Sequence, residues 1–262
     1  MASLRPPSLE RLLAQALQHE QRPPAFVLAG HNGSGKSSLW YQRLADRLRI
    51  PLINADRLTA SILPLPDPRS QQLPDWAQRL RDDDKRWQQL SQQGVKAFRE
   101  LVMAQRMPFA FETVFSHWRQ LPNGAYESKA DDLLKMQQAG YFVVLLFVGL
   151  ASAQLSVARV ATRKAQGGHG VPLDKLLDRY PRTQAAVGHA APLADMTLMF
   201  DNSRGPEAAF SLVRAQKRRQ VLFDLRDPNH RADEGLLRVA TPWMERVVGP
   251  FKPPRRPKLV DA

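Results

Sequence analysis

The clearest chemistry in the chain lies in Gly30, His31, Asn32, Gly33, Ser34, Gly35, Lys36 and Ser37, a GxxxxGKS loop. The loop follows the apolar run Ala25-Phe26-Val27-Leu28-Ala29 and precedes a helix-like stretch from Ser38 to Leu48. A glycine-rich turn between a buried strand and a helix aims several backbone N–H groups at one anion, and the helix N-terminus adds partial positive charge there. Lys36 would reach the β- and γ-phosphates of a nucleoside triphosphate, and the Ser37 hydroxyl would ligate Mg²⁺. The pattern implies a site for ATP or GTP, with Gly30 through Ser38 as the phosphate-binding set.

Three further segments supply reactive groups. Asp56 follows the short strand Pro51-Leu52-Ile53-Asn54, and Glu112-Thr113 follow the run Met107 to Phe111. Ligands of open parallel sheets sit beyond the C-terminal strand ends, so these groups should converge on the loop at Gly30. Asp56 has two readings: a base for an attacking hydroxyl or an orienter of Mg²⁺ through water, or a cap for the following helix. Glu112 would bind substrate or metal, or be a solvated loop carboxylate. Arg159 and Arg163 lie one turn apart on a helix expected from Ala153 to Lys164, and could stabilise charge on a moving phosphoryl group. The stretch Gly167-Gly168-His169-Gly170-Val171-Pro172 reads as the hinge of a lid, with His169 as a phosphate or substrate contact. Arg179 and Arg182 read as members of a solvated helix end.

The elements that would position these groups alternate between strand and helix. Strand candidates run at 25–29, 51–54, 107–111, 141–148 and 196–200, with another at 221–225. Helices are expected over 9–19, 128–139, 153–164, 173–180 and 207–218. A long helical region over 75–106 carries Gly94 as its natural break point. The unbroken apolar run from Tyr141 to Val148 suits a parallel strand covered on both faces. The expected fold is α/β: a P-loop NTPase fold with a parallel sheet of about five strands, flanking helices, a helical insertion and a lid. A helical extension (1–24), a kinase domain (25–225) and a basic, Pro-rich extension (226–262) divide the chain.

Composition removes several classes. The 262 residues contain no cysteine, which excludes disulfides, thiolate metal sites and a Cys nucleophile, and fits a cytoplasmic setting. The longest apolar run, Tyr141 to Leu150, is about half the roughly 20 residues a bilayer crossing needs, so no membrane role is expected. A net charge of +13 asks for anionic partners, and residues 203–262 hold 13 Lys/Arg against 7 Asp/Glu. Nucleic acid is a weak candidate among those partners, because no interleaved aromatic and basic stripe occurs.

The ordered series Gly30–Ser37, Asn54-Ala55-Asp56, Phe109 to Thr113, Gly140-Tyr141, Arg159-Val160-Ala161, Gly167 to Pro172 and Asp201-Asn202-Ser203 resembles the zeta-toxin family. It is most similar to the chromosomal zeta-like group labelled predicted ABC-type ATPases. The match runs from about Ala25 to Ser203. Zeta toxins are P-loop kinases that phosphorylate a hydroxyl of UDP-N-acetylglucosamine. The resemblance implies ATP and Mg²⁺ as cofactors, Lys36 on the γ-phosphate, Ser37 on the metal, and Asp56 as the base. It further implies Glu112, Thr113 and Ser116 at the sugar substrate, Arg159 as a lid arginine, and an antitoxin partner. The toxins' second lid arginine falls where this chain has Gly168-His169, leaving Arg163 and His169 as candidates. The expected activity is transfer of the γ-phosphate to a hydroxyl of a nucleotide-sugar-like molecule. A nucleic-acid-end kinase and a non-catalytic nucleotide-binding module are the alternatives.

Overall fold

The apolar run ahead of the glycine-rich loop forms β1 (Pro24–Gly30), with every residue from Ala25 to Gly30 buried. Its position was derived from a computed structural model, which describes residues 6–18, 21–70, 72–168, 170–230 and 233–252. Ahead of it lies α1 (Leu9–Leu17), capped by Ser8. After the loop come α2 (Lys36–Leu39), a turn of π-helix at Trp40–Leu44, and α3 (Ala45–Leu48). Next are β2 (Leu52–Ile53), α4 (Ala55–Ala60), α5 (Asp75–Asp83), α6 (Lys85–Ala104) and β3 (Phe109–Thr113). A small hairpin, β4 (Trp118–Gln120) with β5 (Tyr126–Ser128), leads to α7 (Ala130–Gln138). Then follow β6 (Phe142–Gly149), α8 (Ala153–Ala165), α9 (Leu173–Ala190) and β7 (Met196–Asp201). The chain closes with β8 (Ser211–Lys217), β9 (Gln220–Asp224) and α10 (Glu234–Val248).

The main sheet has the order β2-β3-β1-β6-β7-β8-β9. The first five strands in that order are mutually parallel, and β8 and β9 add an antiparallel edge. β6 is buried at all eight positions, as a strand covered on both faces must be. β1 lies centrally, paired with β3 on one side and β6 on the other. The chain leaves β1 towards β2 and leaves β6 towards β7, so the connections diverge at this point and open a crevice above it. Each large apolar side chain that goes from water into this core contributes about 1.5–3 kcal/mol.

Three local expectations change. The long helical region breaks at Asp84, not at Gly94. Asp84 Oδ1 accepts the Trp87 N–H at 2.8 Å and starts α6 afresh. Gly94 sits inside α6 and admits close approach of α4, since a Cβ there would lie 2.6 Å from Leu58 Cδ2. Residues 211–217, expected as helix, form β8, with Val213 and Ala215 fully buried at period two. Good helix formers are overridden here by pairing with β7. α9 also continues past Tyr180, through Pro181, to Ala190.

α1 and α10, both in segments expected to be extensions, pack into the same core as the sheet. Trp243 of α10 is completely buried against the end of β6, where a Cβ on Gly149 would fall 2.6 Å from its indole. A Cβ on Gly188 would lie 2.2 Å from Val247 O, so α9 and α10 meet backbone to backbone. Of the expected basic tail, the part beyond Lys252 lies outside the described residues. Among the described residues, no helix is long and apolar enough to cross a membrane.

Candidate functional site

The glycine-rich loop makes its turn through residues that only glycine adopts readily. Gly33 has φ +69 and Gly35 φ +92, and Gly35 is the N-cap of α2, which leaves the first N–H groups of that helix open. Each shoulder of the loop is tied down. Ser156 Oγ of α8 donates to Asn32 O at 2.7 Å, and Asn202 Nδ2, just past β7, donates to Ser34 O at 2.8 Å. Ser38 is exposed on the first turn of α2.

Lys36 is buried, with Nζ donating to Gly30 O at 3.1 Å and His31 O at 3.0 Å. Burial pushes its ammonium below the usual lysine range, while the carboxylates of Glu112 and Asp56 oppose that shift. His31 faces inward: its ring stacks on Tyr180 at 4.2 Å and meets Phe147 edge-on at 5.8 Å. Burial, then the charges of Lys36 and Arg246, pull its pKa down to about 3, so it is neutral at physiological pH. The imidazole is therefore a wall of the loop.

Glu112, the next-to-last residue of β3, stands on the strand beside β1 and takes a place close to the loop. Its Oε2 accepts Ser37 Oγ at 2.8 Å and Asn54 Nδ2 at 2.7 Å, and its Oε1 lies 3.8 Å from Lys36 Nζ. A hydroxyl and a carboxylate at this spacing are hard oxygen donors, which suits Mg²⁺. Among the described residues no three His, Asp or Glu side chains gather as a metal cluster. A Mg²⁺ beside Ser37 and Glu112 would take its other ligands from phosphate and water, the usual habit of that ion.

Asp56 stands on the first turn of α4, positioned by Asn54, whose Oδ1 accepts the Arg57 N–H at 3.1 Å. The expected capping role thus falls to Asn54, and the Asp56 carboxylate is left for the cleft. It lines two adjoining cavities of about 490 and 340 Å³. The larger also touches Ser37, and the smaller touches Gly33 and Lys36. Both share Asn54, Glu112, Arg163 and Arg179, so the glycine-rich loop and the carboxylates face one continuous cleft. Thr113 and Ser116 line the smaller cavity; Thr113 Oγ1 also accepts the Phe115 N–H at 3.2 Å.

The two arginines of α8 part company. Arg163 lines both cavities. Arg159 lies against the loop, 3.1 Å from where a Gly33 Cβ would stand, and interacts electrostatically with Asp201. His169 lies outside the described residues. Arg179, read from sequence as part of a solvated helix end, instead lines both cavities. Its neighbour Tyr180 donates to Leu150 O at 2.7 Å, which fixes this turn of α9 over the cleft. Sequence reasoning also missed Arg81 and Trp87 in the larger cavity and Lys129 in the smaller. No spacing signal marks them, because they reach the cleft from α5, α6 and the turn ahead of α7, outside the parallel sheet.

No protein family and no curated protein matches the sequence of this chain. Solved structures do match its fold. The AvrRxo1-ORF1:AvrRxo1-ORF2 complex with sulphate ions gives a TM-score of 0.58 at 12% identity, over 93% of this chain and 69% of that one. The AvrRxo1-ORF1:-ORF2 structure with ATP gives 0.56 at 13% identity, over 94% and 73%. The PezAT chromosomal toxin–antitoxin system of the human pathogen Streptococcus pneumoniae gives 0.51 at 11% identity, over 92% of both chains. The chain has the P-loop NTPase fold. Its resemblance to zeta toxins holds at the level of that fold.

Proposed function

We propose that this chain is an ATP- and Mg²⁺-dependent kinase of zeta-toxin type, which transfers the γ-phosphate to a hydroxyl of a small anionic acceptor. One observation carries the reading: Lys36, the bonded pair Ser37–Glu112 and the carboxylate of Asp56 face a single cleft above the parallel strands. In the proposed reaction, loop N–H groups and Lys36 hold the triphosphate, and Ser37 with Glu112 takes the metal. Bound Mg²⁺ supplies charge neutralisation across the phosphates. Asp56 accepts the proton of the attacking hydroxyl, and Arg163 faces the charge that develops as the phosphoryl group moves. Arg159 would contact the donor nucleotide from the outer side of the loop. Thr113 and Ser116 would contact the acceptor.

The acceptor cleft is strongly cationic. Arg57, Arg81, Arg163, Arg179 and Lys129 line it, against the carboxylates of Asp56 and Glu112. This supports an acceptor carrying phosphate, such as a nucleotide sugar. Similarity in fold to structures solved as toxin–antitoxin and ORF1:ORF2 complexes supports a protein antitoxin as partner. Incubating the protein with MgATP and a panel of nucleotide sugars tests the reading. Acceptor-dependent ADP with a phosphorylated sugar is the expected result; ADP formation indifferent to every acceptor would count against it. Arrest of growth on expression, relieved by Lys36→Ala, is the expected sign of a toxin.

A further inference from the structure

We propose that Arg81 is a positioning residue: it clasps the turn after α8 and through that turn directs Arg163 into the cleft. The inference rests on the kinase reading for its effect on rate, and on geometry alone for its effect on the turn.

Arg81 lies at the end of α5, 86 residues before the group it holds. Its Nε and Nη2 donate to Asp82 Oδ1 and Oδ2 at 2.8 and 3.0 Å, which fixes the plane of the guanidinium. The remaining arm, Nη1, donates to Gly167 O at 3.0 Å, across the cleft. With 16% of the side chain exposed, this charged donor is largely shielded, which strengthens the bond to the carbonyl. The guanidinium also lines the larger cavity, together with Asp56 and Arg163.

The clasped turn is built directly on Arg163. Gly167 adopts φ +78, and the Gly168 N–H donates to Arg163 O at 2.9 Å. A Cβ on Gly168 would lie 2.6 Å from Arg163 Cγ, so the turn backbone packs on the stem of that side chain. Two successive glycines have many other conformations available, and a cross-cleft bond selects this one. Lysine cannot replace the fork: a single ammonium does not grip a carboxylate in plane and also aim a third donor along a fixed line. Arg81 therefore links the wall of the acceptor cavity to the placement of Arg163.

The test uses the parent chain, Arg81→Ala and Arg81→Lys. Amide hydrogen exchange at residues 166–168 should quicken by roughly 10-fold in both variants, with exchange in β1 and β6 unchanged. MgATP turnover to water should lose roughly 10- to 100-fold in kcat, the scale of an ångström-level misplacement, while KM for MgATP stays put. Unchanged exchange at the turn in either variant overturns the clasp. Faster exchange with unchanged kcat overturns the link to Arg163. Where the parent consumes MgATP only with an acceptor, kcat is read with that acceptor; if it consumes none with any acceptor, the kinase reading loses its support, and the exchange measurement alone decides whether Arg81 holds the turn.

Discussion

Behind the loop Gly30–Ser38 the chain is packed solid, whereas across the cleft the helices α4 to α6 stand largely in water. The loop rests on β1, buried from Ala25 on, and β6, buried throughout, with Tyr180 and Phe147 against His31 and Trp243 of α10 edge-on to Phe147 at 5.5 Å. Trp243 Nε1 donates to the buried Asp201 Oδ2 at 2.8 Å, which joins α10 to the end of β7. On the opposite side, Trp76, Leu90, Phe98 and Leu101 of α5 and α6 are exposed, and Leu65 reaches 90%. The loop side is pre-organised by its core. The opposite side is held to the turn after α8 by polar contacts such as Arg81 to Gly167. Regions with little apolar burial open at low cost, so movement during turnover should concentrate there.

Lys36→Ala should sharpen this contrast most. It removes the cation of the donor loop, and turnover should fall by about 10³-fold or more, with the thermal transition nearly unchanged. Unimpaired turnover would mean that the loop does not hold the reacting phosphate.

Trp243→Ala tests the solid side. Emptying a fully buried indole should cost about 3–5 kcal/mol in urea unfolding. An equal loss from Trp76→Ala, at an exposed position, would break the distinction between the two sides.

Glu112→Gln keeps the size of the side chain and removes its charge beside Ser37. Turnover should drop by roughly 100-fold and need more Mg²⁺ for half-maximal rate. An unchanged Mg²⁺ requirement would move the metal away from this carboxylate.

His31→Phe should have the smallest effect at neutral pH, and is visible as a pH dependence. His31 has a folded pKa near 3 against an ordinary 6.5, so below 6.5 the unfolded chain binds a proton that the folded one rejects. The stability linked to neutral His31 is complete above pH 6.5 and declines as pH falls towards 3, by at most about 1.4 kcal/mol per pH unit. The parent should therefore lose stability faster than His31→Phe over that window. Parallel curves would show an imidazole that is not shielded.

The same contrast governs what the sequence could disclose. Strands β1, β3, β6 and β7 and the loop between β1 and α2 are legible because burial on both faces leaves continuous apolar runs, and the positive-φ turn into α2 leaves fixed glycines. Glu112 and Asp56 could be placed near the loop because one lies at the C-terminal end of β3 and the other just past that of β2. Arg179, Arg81 and Lys129 could not, because single cations on the outer turns of helices and loops carry no periodic mark of the cleft they face. β8 was hidden for a different reason: Leu212, Arg214, Ala215 and Lys217 favour helix locally, and only the free edge of β7 makes them a strand. α10 was hidden by its position after a turn-rich stretch, although Gly149 and Gly188 are the clearance it requires.

The most direct test is the rate of phosphoryl transfer in Asp56→Asn, measured beside its affinity for MgATP with the acceptor that the panel selects. Asparagine keeps the shape and cannot take the proton. Transfer should fall by roughly 10²–10⁴-fold while MgATP affinity stays within about twofold of the parent. Transfer at the parental rate would contradict the assignment of Asp56 as the base, and with it the account of this cleft as a kinase site.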